Sequence, residues 1–461
     1  MNNFLVLIGI YAIIGTIIAL YSKGAKTQES FFIGNRNISG VVSALTYAAT
    51  TYSAFMMVGL VGLSYATGVG ALGFELTYLV GTLFFLSYYG PRIWKIAKQK
   101  RIVSPSGLLE ERYGLKTAKI AALISLLALI PYTSVQLTGV ALILEKNSSL
   151  NFSTGILIVG ILIALWAFLG GLKGVALTDS IQGVLMIVVS IFALVWVSYK
   201  FDFSAISSMG ELMYVPNAIW TPKFFLGLTI PWFFFALTNP QVLQRLFIPK
   251  DLSALRKMIV YFGVFGIIYT VIVTFIGIQL RVLTFQGLFP VVQYRDDVTP
   301  TLLSLMPEWL SLLLALSIMA AAITTANSIV LTLSSMVSRD IVKEKGILFG
   351  RISIIIITIF IGLFAVRKLS YIVELSVLSS TILLCLLPLI FGLFHYNIGK
   401  DLTGAITLVG GFLTAVCLSF FKISLFGLPT PIITLVVCFT LFFVVGMLES
   451  SNLKKSHELK N

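Results

Sequence analysis

The chain has 461 residues, of which 58% are hydrophobic and only 11% are charged. A water-soluble protein of this length could not bury so much apolar surface, so the composition excludes that class. The formal net charge of +14 would suit nucleic acid if it lay on one surface. The Lys and Arg residues instead lie in short segments between apolar runs, where they indicate membrane topology.

Apolar runs of about 18 to 25 residues recur along the whole chain, and each is long enough to cross the ~30 Å hydrocarbon layer of a bilayer. They predict an all-α integral membrane protein with about thirteen transmembrane helices in one membrane domain. The first run follows an uncharged segment without a cleavage site, so we expect a retained helix rather than a signal peptide. The predicted helices are 4–22, 42–66, 72–96, 117–143, 154–172, 178–199, 224–246, 255–281, 308–338, 348–366, 370–394, 402–421 and 429–448.

The orientation follows from the 32 Lys and Arg residues. Most of them, including the cluster between Arg92 and Lys119, face the cytoplasm if the N-terminus lies outside and the C-terminus lies inside. We therefore expect a multi-pass protein of the plasma (inner) membrane.

The second and seventh predicted helices carry polar or proline interruptions. Residues 48–53 read AATTYS, and residues 236–241 read ALTNPQ, in which Pro240 lacks a backbone donor. Helices five apart run in opposite directions, as an inverted repeat requires, and secondary transporters bind their cargo at such interruptions. A simple packing kink is the alternative for each interruption taken alone.

The ninth predicted helix places Thr324, Thr325, Asn327 and Ser328 in an otherwise apolar stretch. Lipid offers these groups no partner, so they bond inside the protein, and their oxygens could coordinate a bare cation. Alternatively, the threonines bond back to carbonyls one turn earlier. Asp179 is costly at membrane depth and either lines an ion path or caps the sixth helix. We find no Arg or Lys at mid-membrane.

Five motifs in order resemble the sodium/solute symporter family, whose relatives carry proline, pantothenate, sialic acid and sugars. The resemblance implies a LeuT-type core of helices 2 to 11, built as a 5+5 inverted repeat with helices 2 and 7 broken. The implied regions are an extra N-terminal helix and cytoplasmic loop, a first repeat, a second repeat, and two peripheral helices with a cytoplasmic tail, at 1–40, 41–200, 201–396 and 397–461. The motifs are FFIGNRNISG (31–40), AATTYSAFMMVG (48–59), GGLKGVALTDSIQGVLMIV (170–188), NPQVLQRLFIPKD (239–251) and AAAITTANS (320–328).

The same resemblance implies a sodium site between the second and ninth helices, with Asp179 along the inward exit path of the ion. Carbonyl and hydroxyl oxygens without formal charge suit a monovalent cation, whereas calcium and magnesium prefer several carboxylates. The implied sodium ligands are Ala49, Tyr52, Ala321, Thr324 and Thr325.

Eight residues are expected around the solute. Glu75 would bond hydroxyls or an ammonium group, although Met56 stands where the sugar-carrying branch has glutamine. Glu374 is expected near an outer helix end, paired with Arg367 or Lys368. The solute-binding candidates are Thr51, Phe55, Met56, Glu75, Tyr132, Gln136, Asn239 and Gln241.

The sequence therefore predicts a secondary active transporter that couples inward sodium flow to uptake of a small organic solute. The expected solute is an amino acid such as proline, or a small carboxylate, and the alternative solute is a sugar or polyol. The alternative coupling ion is the proton, carried by Asp179 or Glu75. A solute sensor is an alternative of another class. An enzyme is not expected, because the chain has no His/Asp/Glu cluster and no metal motif. Primary pumping is not expected, because the chain has no nucleotide-binding motif. We expect a monomer whose partners are a small solute and the lipid bilayer, without nucleic acid.

Overall fold

The computed structural model describes residues 3–148, 150–343, 346–367, 372–423, 425 and 427–458. Apart from one isolated bridge between Ile38 and Pro249, the regular structure of these residues is helical. This confirms the predicted all-α class. The α-helices are α1 (Asn3–Tyr21), α2 (Gln28–Ile33), α3 (Gly40–Thr51), α4 (Val61–Thr67), α5 (Gly70–Gln99), α6 (Pro105–Tyr113), α7 (Leu115–Asn147), α8 (Phe152–Tyr199), α9 (Pro222–Phe233), α10 (Phe235–Thr238), α11 (Pro240–Gln244), α12 (Leu252–Phe285), α13 (Val298–Leu305), α14 (Glu308–Met336), α15 (Leu348–Val366), α16 (Ile372–Leu383), α17 (Leu387–His395), α18 (Asp401–Phe420) and α19 (Thr430–Glu458).

Ten helical segments in the described part of the chain are long and apolar enough to cross a membrane. The number rises to eleven if the bent pair formed by α3 and residues 55–67 counts as one span. The multi-pass membrane architecture is therefore as predicted, while the number of thirteen spans and the inverted repeat stay predictions.

Helix α8 joins the predicted fifth and sixth spans. Its 48 residues would extend ~72 Å if straight, more than twice the hydrocarbon thickness. It is kinked at Gly171, whose φ of 51° favours glycine and whose added Cβ would lie 2.6 Å from the Phe31 carbonyl oxygen. The break therefore comes earlier than the sequence predicts.

Asp179 consequently lies inside α8, eight residues after the kink at Gly171, and not at a helix start. The neighbouring Thr178 donates its hydroxyl to the carbonyls of Gly174 and Val175 at 3.1 and 2.9 Å, as a side chain within a helix does. The N-cap interpretation of Asp179 is therefore wrong.

The helical path is interrupted at two further places. Residues 52–54 separate α3 from a π-helical turn, Phe55–Leu60, that continues into α4, and the two parts enclose an angle of 52°. Phe234 and Asn239 separate α9, α10 and α11, and Asn239 is extended with φ −92° and ψ 113°. Backbone groups at helix ends lack intrahelical partners and are free to bind other groups.

Helix α14 lies at the centre of the bundle. Its residues 314–336 are buried without exception, and it packs against α3, α7, α8 and α15. Its hydroxyl and amide side chains therefore face protein and not lipid. Two glycines of α12 allow the bent segment to approach closely, because a methyl group at Gly266 would overlap the Tyr52 hydroxyl and one at Gly277 the Val61 carbonyl.

Candidate ion and solute site

The end of α3 meets the middle of α14 through hydroxyl and carbonyl oxygens. The Thr324 hydroxyl donates to the carbonyls of Ala49 and Ala321, both at 2.9 Å. The Thr325 hydroxyl lies 3.3 Å from the carbonyls of both Ala49 and Thr50. Thr324 therefore makes the predicted bond within its own helix and also bonds across to α3, while its role as an ion ligand stays a prediction. These four predicted residues lie within one small group of neutral oxygens.

Tyr52, the fifth predicted ligand, contributes differently from the others. It caps α3 with ψ 89°, and its backbone N–H donates to the Ala48 carbonyl at 2.7 Å. Its ring stacks on Phe262 and Phe265 of α12 and meets Tyr78 edge-on. The phenol is thus held by α5 and α12, which leaves the carbonyl as the only Tyr52 group suited to an ion at α14.

The donor set fits a sodium ion. It consists of backbone carbonyls and threonine hydroxyls without formal charge, which suits a monovalent hard cation and not Ca²⁺ or Mg²⁺. Neither threonine side chain has to rotate to reach the other helix, because each hydroxyl already contacts a carbonyl oxygen of α3. Ala49, Ala321, Thr324 and Thr325 are all buried.

A second polar group lies one turn further along both helices. Thr46 of α3 donates to Asp179 Oδ2 at 2.5 Å, and the hydroxyls of Thr50 and Ser328 are 2.8 Å apart. Arg245 Nη2 donates to Ser328 Oγ at 2.5 Å and lies 3.9 Å from Asp179 Oδ2. Asp179 therefore lies next to hydroxyls of α3 and α14, with the Arg245 guanidinium beside it.

Arg245 is a buried cation beside Asp179 that the sequence analysis did not single out, and the expectation that no Arg or Lys lies at mid-membrane stays a prediction. It follows α11 directly, in a short 3₁₀ turn Arg245–Phe247, and its side chain is 0% exposed. The sequence pattern does not mark it, because it lies near the end of the predicted seventh helix and is followed by the apolar residues Leu246 and Phe247. The Gln-Arg pair after the Asn-Pro interruption was the available signal.

The predicted solute residues are all buried, and no side-chain hydrogen bond among the described residues joins two of them. Phe55 lies against Trp232 with ring centroids 5.0 Å apart, and Tyr78 meets the same indole edge-on. The Tyr132 hydroxyl lies 3.4 Å from Ser53 Oγ. Thr51 and Met56 lie on either side of the bend. Trp232 and Tyr78 were missed, and the Pro-Trp pair before the seventh-helix interruption was the signal.

Several buried polar atoms among these candidates have no hydrogen-bond partner in the described part of the chain. They include both amide atoms of Gln136 and of Gln241, Glu75 Oε2 and the Thr51 hydroxyl. Asn239 donates only to the neighbouring Thr238 hydroxyl, at 3.3 Å. Buried polar groups are normally paired, so each of these side chains has hydrogen-bonding capacity that the described residues do not use.

Glu374 has a different partner from the expected ones. Its carboxylate pairs with Arg295 of the loop before α13, and not with Arg367, while Lys368 lies outside the described residues. Both side chains are partly exposed, as the predicted place at a helix end implies.

The sequence pattern of the sodium:solute symporter family matches residues 31–347. The chain is 26% identical to the sodium/pantothenate symporter of Escherichia coli, over 95% of this chain and 94% of that protein. It is also 26% identical to the sodium/pantothenate symporter of Haemophilus influenzae, over 71% of this chain and 69% of that protein.

Solved structures show the same fold. The outward-open, substrate-bound structure of a Na⁺-coupled sialic acid symporter superimposes with a TM-score of 0.84, covers 97% of both chains and is 19% identical. A transporter of the nucleobase-cation-symport-1 family gives a TM-score of 0.64 at 12% identity, over 92% of this chain and 95% of that chain. The chain therefore belongs to the sodium:solute symporter family, with sodium as its coupling ion.

Proposed function

We propose that sodium binds between α3 and α14, at the carbonyls of Ala49, Tyr52 and Ala321 and the hydroxyls of Thr324 and Thr325. The observation that carries this proposal is the convergence of the Thr324 and Thr325 hydroxyls on the Ala49 carbonyl. A bound cation would join the bent segment to α14 and so favour one arrangement of the bundle. Inward movement of one charge releases ~2.3 kcal/mol per 100 mV of membrane potential.

The solute would bind beside this ion, between the interruption after Thr51 and the one at Asn239. The wall is Phe55, Met56 and the Trp232 indole, and the polar contacts come from Glu75, Gln136 and Gln241, with Tyr132 at one side. Unpartnered amide and carboxyl groups can bond hydroxyl, amide or ammonium groups of a solute. The two breaks support the proposed inverted repeats, 41–200 and 201–396, and alternating access between them.

We infer that the solute is a small organic acid, either an amino acid such as proline or a hydroxylated carboxylate. The pantothenate symporters among the relatives support the second form. The carboxylate would be held by the bound sodium and by helix N-termini, because the Arg245 guanidinium is already bonded to Ser328 beside Asp179. Sodium would leave past Asp179 to the cytoplasm, with the C-terminus inside and the N-terminus outside.

Thermal unfolding of the purified full chain in sodium, potassium or choline tests this function. A ligand that binds only the folded state stabilises it by about 2.7 kcal/mol at a concentration of 100 Kd. The solute panel is pantothenate, proline, sialic acid and glucose. A sodium-specific increase in unfolding temperature, enlarged by pantothenate or proline, is the expected result.

The other outcomes separate the alternatives. Enlargement by glucose alone would assign a sugar. A shift that depends on pH and not on sodium would assign proton coupling and leave the threonine cluster as helix packing. Solute binding without accelerated uptake into proteoliposomes that have an inward sodium gradient would indicate a sensor.

A further inference from the structure

Arg245 is a fully buried cation, and only part of the hydrogen-bonding capacity of its guanidinium is used. Its side chain is 0% exposed, and only Nη2 bonds a protein group, Ser328 Oγ at 2.5 Å. Nη1 and Nε have no hydrogen-bond partner in the described part of the chain. Burying a guanidinium is costly unless a carboxylate compensates its charge, and the neighbouring carboxylate is Asp179.

Asp179 is likewise only partly satisfied. Its Oδ2 atom accepts from Thr46 at 2.5 Å and lies 3.9 Å from Arg245 Nη2, whereas Oδ1 has no partner among the described residues. A tight guanidinium–carboxylate pair has N···O distances of about 2.7 to 2.9 Å. The two charges therefore compensate each other without a close bond, and the carboxylate keeps an unused oxygen.

This charged pair is connected directly to the proposed sodium ligands. Ser328 bonds Arg245 on one side and the Thr50 hydroxyl on the other, at 2.5 and 2.8 Å. The Thr50 carbonyl lies 3.3 Å from the Thr325 hydroxyl. A sodium ion that leaves Thr325 towards Asp179 would therefore approach a guanidinium that three hydrogen bonds connect to Thr325, through Thr50 and Ser328.

We propose that Arg245 is a positioning residue that acts as a tethered cation: it compensates the charge of Asp179 and so prevents sodium from being held there. This inference rests on the proposed sodium site. An uncompensated buried carboxylate flanked by hydroxyls would bind a cation strongly, because charges interact more strongly in a medium of low dielectric constant. With the guanidinium in place, sodium is repelled from the carboxylate and continues inwards.

The test measures sodium alone, without any solute, so it does not depend on the identity of the cargo. The quantity is the sodium concentration that gives half of the thermal stabilisation, with choline as the replacement cation. For R245Q we expect this concentration to fall tenfold or more, because Asp179 becomes free to bind sodium. R245K keeps the positive charge, so its half-saturating sodium concentration should stay within threefold of that of the native chain. The same is expected of R112Q, which removes a peripheral arginine that contacts Ile398.

A second pair of variants covers a failure of R245Q to fold, since that change leaves Asp179 unpaired. In D179N the guanidinium is uncompensated and repels sodium, whereas D179N/R245Q removes both charges and should bind sodium at least tenfold more tightly than D179N. Equal sodium affinity within this pair, or an unchanged or weaker affinity in folded R245Q, would overturn the inference. If the native chain itself shows no sodium-dependent shift, the proposed sodium site fails instead.

Discussion

The two ends of the helices around α14 differ in how they are held together. At the end that the sequence predicts to face outwards, α7, α13, α14 and α16 surround a cavity of about 960 Å³. Val58, Val135 and Ile318 contribute apolar walls, and Asp296 and Lys146 contribute charges. This end contains space that a rearrangement can fill.

The opposite end is closed by buried polar contacts. Asp340, in a π-helical turn Val337–Ile341 after α14, accepts hydrogen bonds from the hydroxyls of Ser104, at 2.8 Å, and Ser106. Gln244 donates to the Val103 carbonyl at 2.9 Å and to Ser335 Oγ at 3.0 Å. Opening this end requires several hydrogen bonds in a water-poor environment to break together, two of them to a carboxylate.

The two ends therefore differ in what a movement would change. Movement at the outer end changes the volume of a cavity, whereas movement at the inner end costs hydrogen bonds. The end that the sequence predicts to face inwards is therefore the closed one, and we expect the Asp340 contacts to keep it closed.

Breaking the inner contacts should have the largest effect. In D340A, Ser104 and Ser106 lose their buried acceptor, so the inner end should open. A cysteine at buried Leu109, introduced after the three native cysteines are replaced by serine, should then react with a thiol reagent at least tenfold faster. D202A is the matched control, because the Asp202 carboxylate accepts from Ser204 at an exposed helix start. Equal reactivity in D340A and the parent would show that Asp340 does not close this end.

Removing a proposed sodium ligand at the junction of the two ends should have the next largest effect. T325A eliminates the hydroxyl that reaches the Ala49 and Thr50 carbonyls, and it should raise the half-saturating sodium concentration at least tenfold. T325S keeps the hydroxyl and should stay near the native value. T358A is the control, since that hydroxyl bonds only its own helix. An unchanged sodium requirement in T325A would remove Thr325 from the site.

The Glu75 carboxylate tests whether the solute set is separate from the ion set. E75Q keeps the size of the side chain but replaces a carboxyl oxygen by an amide nitrogen, so we expect the affinity for the solute found in the thermal panel to change about tenfold or more, in the range of one hydrogen bond to a charged group. Sodium binding without solute should change less than twofold. The reverse pattern would assign Glu75 to the ion.

The outer pair Arg295–Glu374 should have the smallest effect. Its side chains are 22% and 48% exposed, and exposed ion pairs contribute about 0.2 to 1 kcal/mol. R295Q should therefore lower the unfolding temperature only slightly and leave the sodium midpoint within twofold. A loss of sodium binding in R295Q would show that the outer end is held by charge after all.

The sequence predicted those features that depend on local pattern. Apolar runs indicated the membrane class, and the family resemblance, not the local pattern, implied that the α14 threonines lie close to Ala49. The sequence did not predict partners that come from distant segments, such as Ser328 and Thr50, which are 278 residues apart, or Ser328 and Arg245, which are 83 apart. Hydropathy averages hide a single buried arginine, because its neighbours dominate the window.

The prediction of where α8 is kinked failed for a related reason. Hydropathy marks only where an apolar run ends. The kink instead lies at the residue that can adopt a positive φ and has no Cβ to collide with Phe31, and that residue is Gly171. Two adjacent glycines allow either position, so the pattern alone does not choose between them.

The two π-helical turns, Phe55–Leu60 and Val337–Ile341, have a consequence for chain length. A π turn accommodates one residue more than the α-helix around it, so a single deletion restores α-helical spacing. Such a deletion before Asp340 would rotate the following side chains by ~100° and move this carboxylate away from Ser104. Substitutions in these turns should thus be tolerated more readily than insertions or deletions, since what each turn preserves is the register between the two parts of its helix.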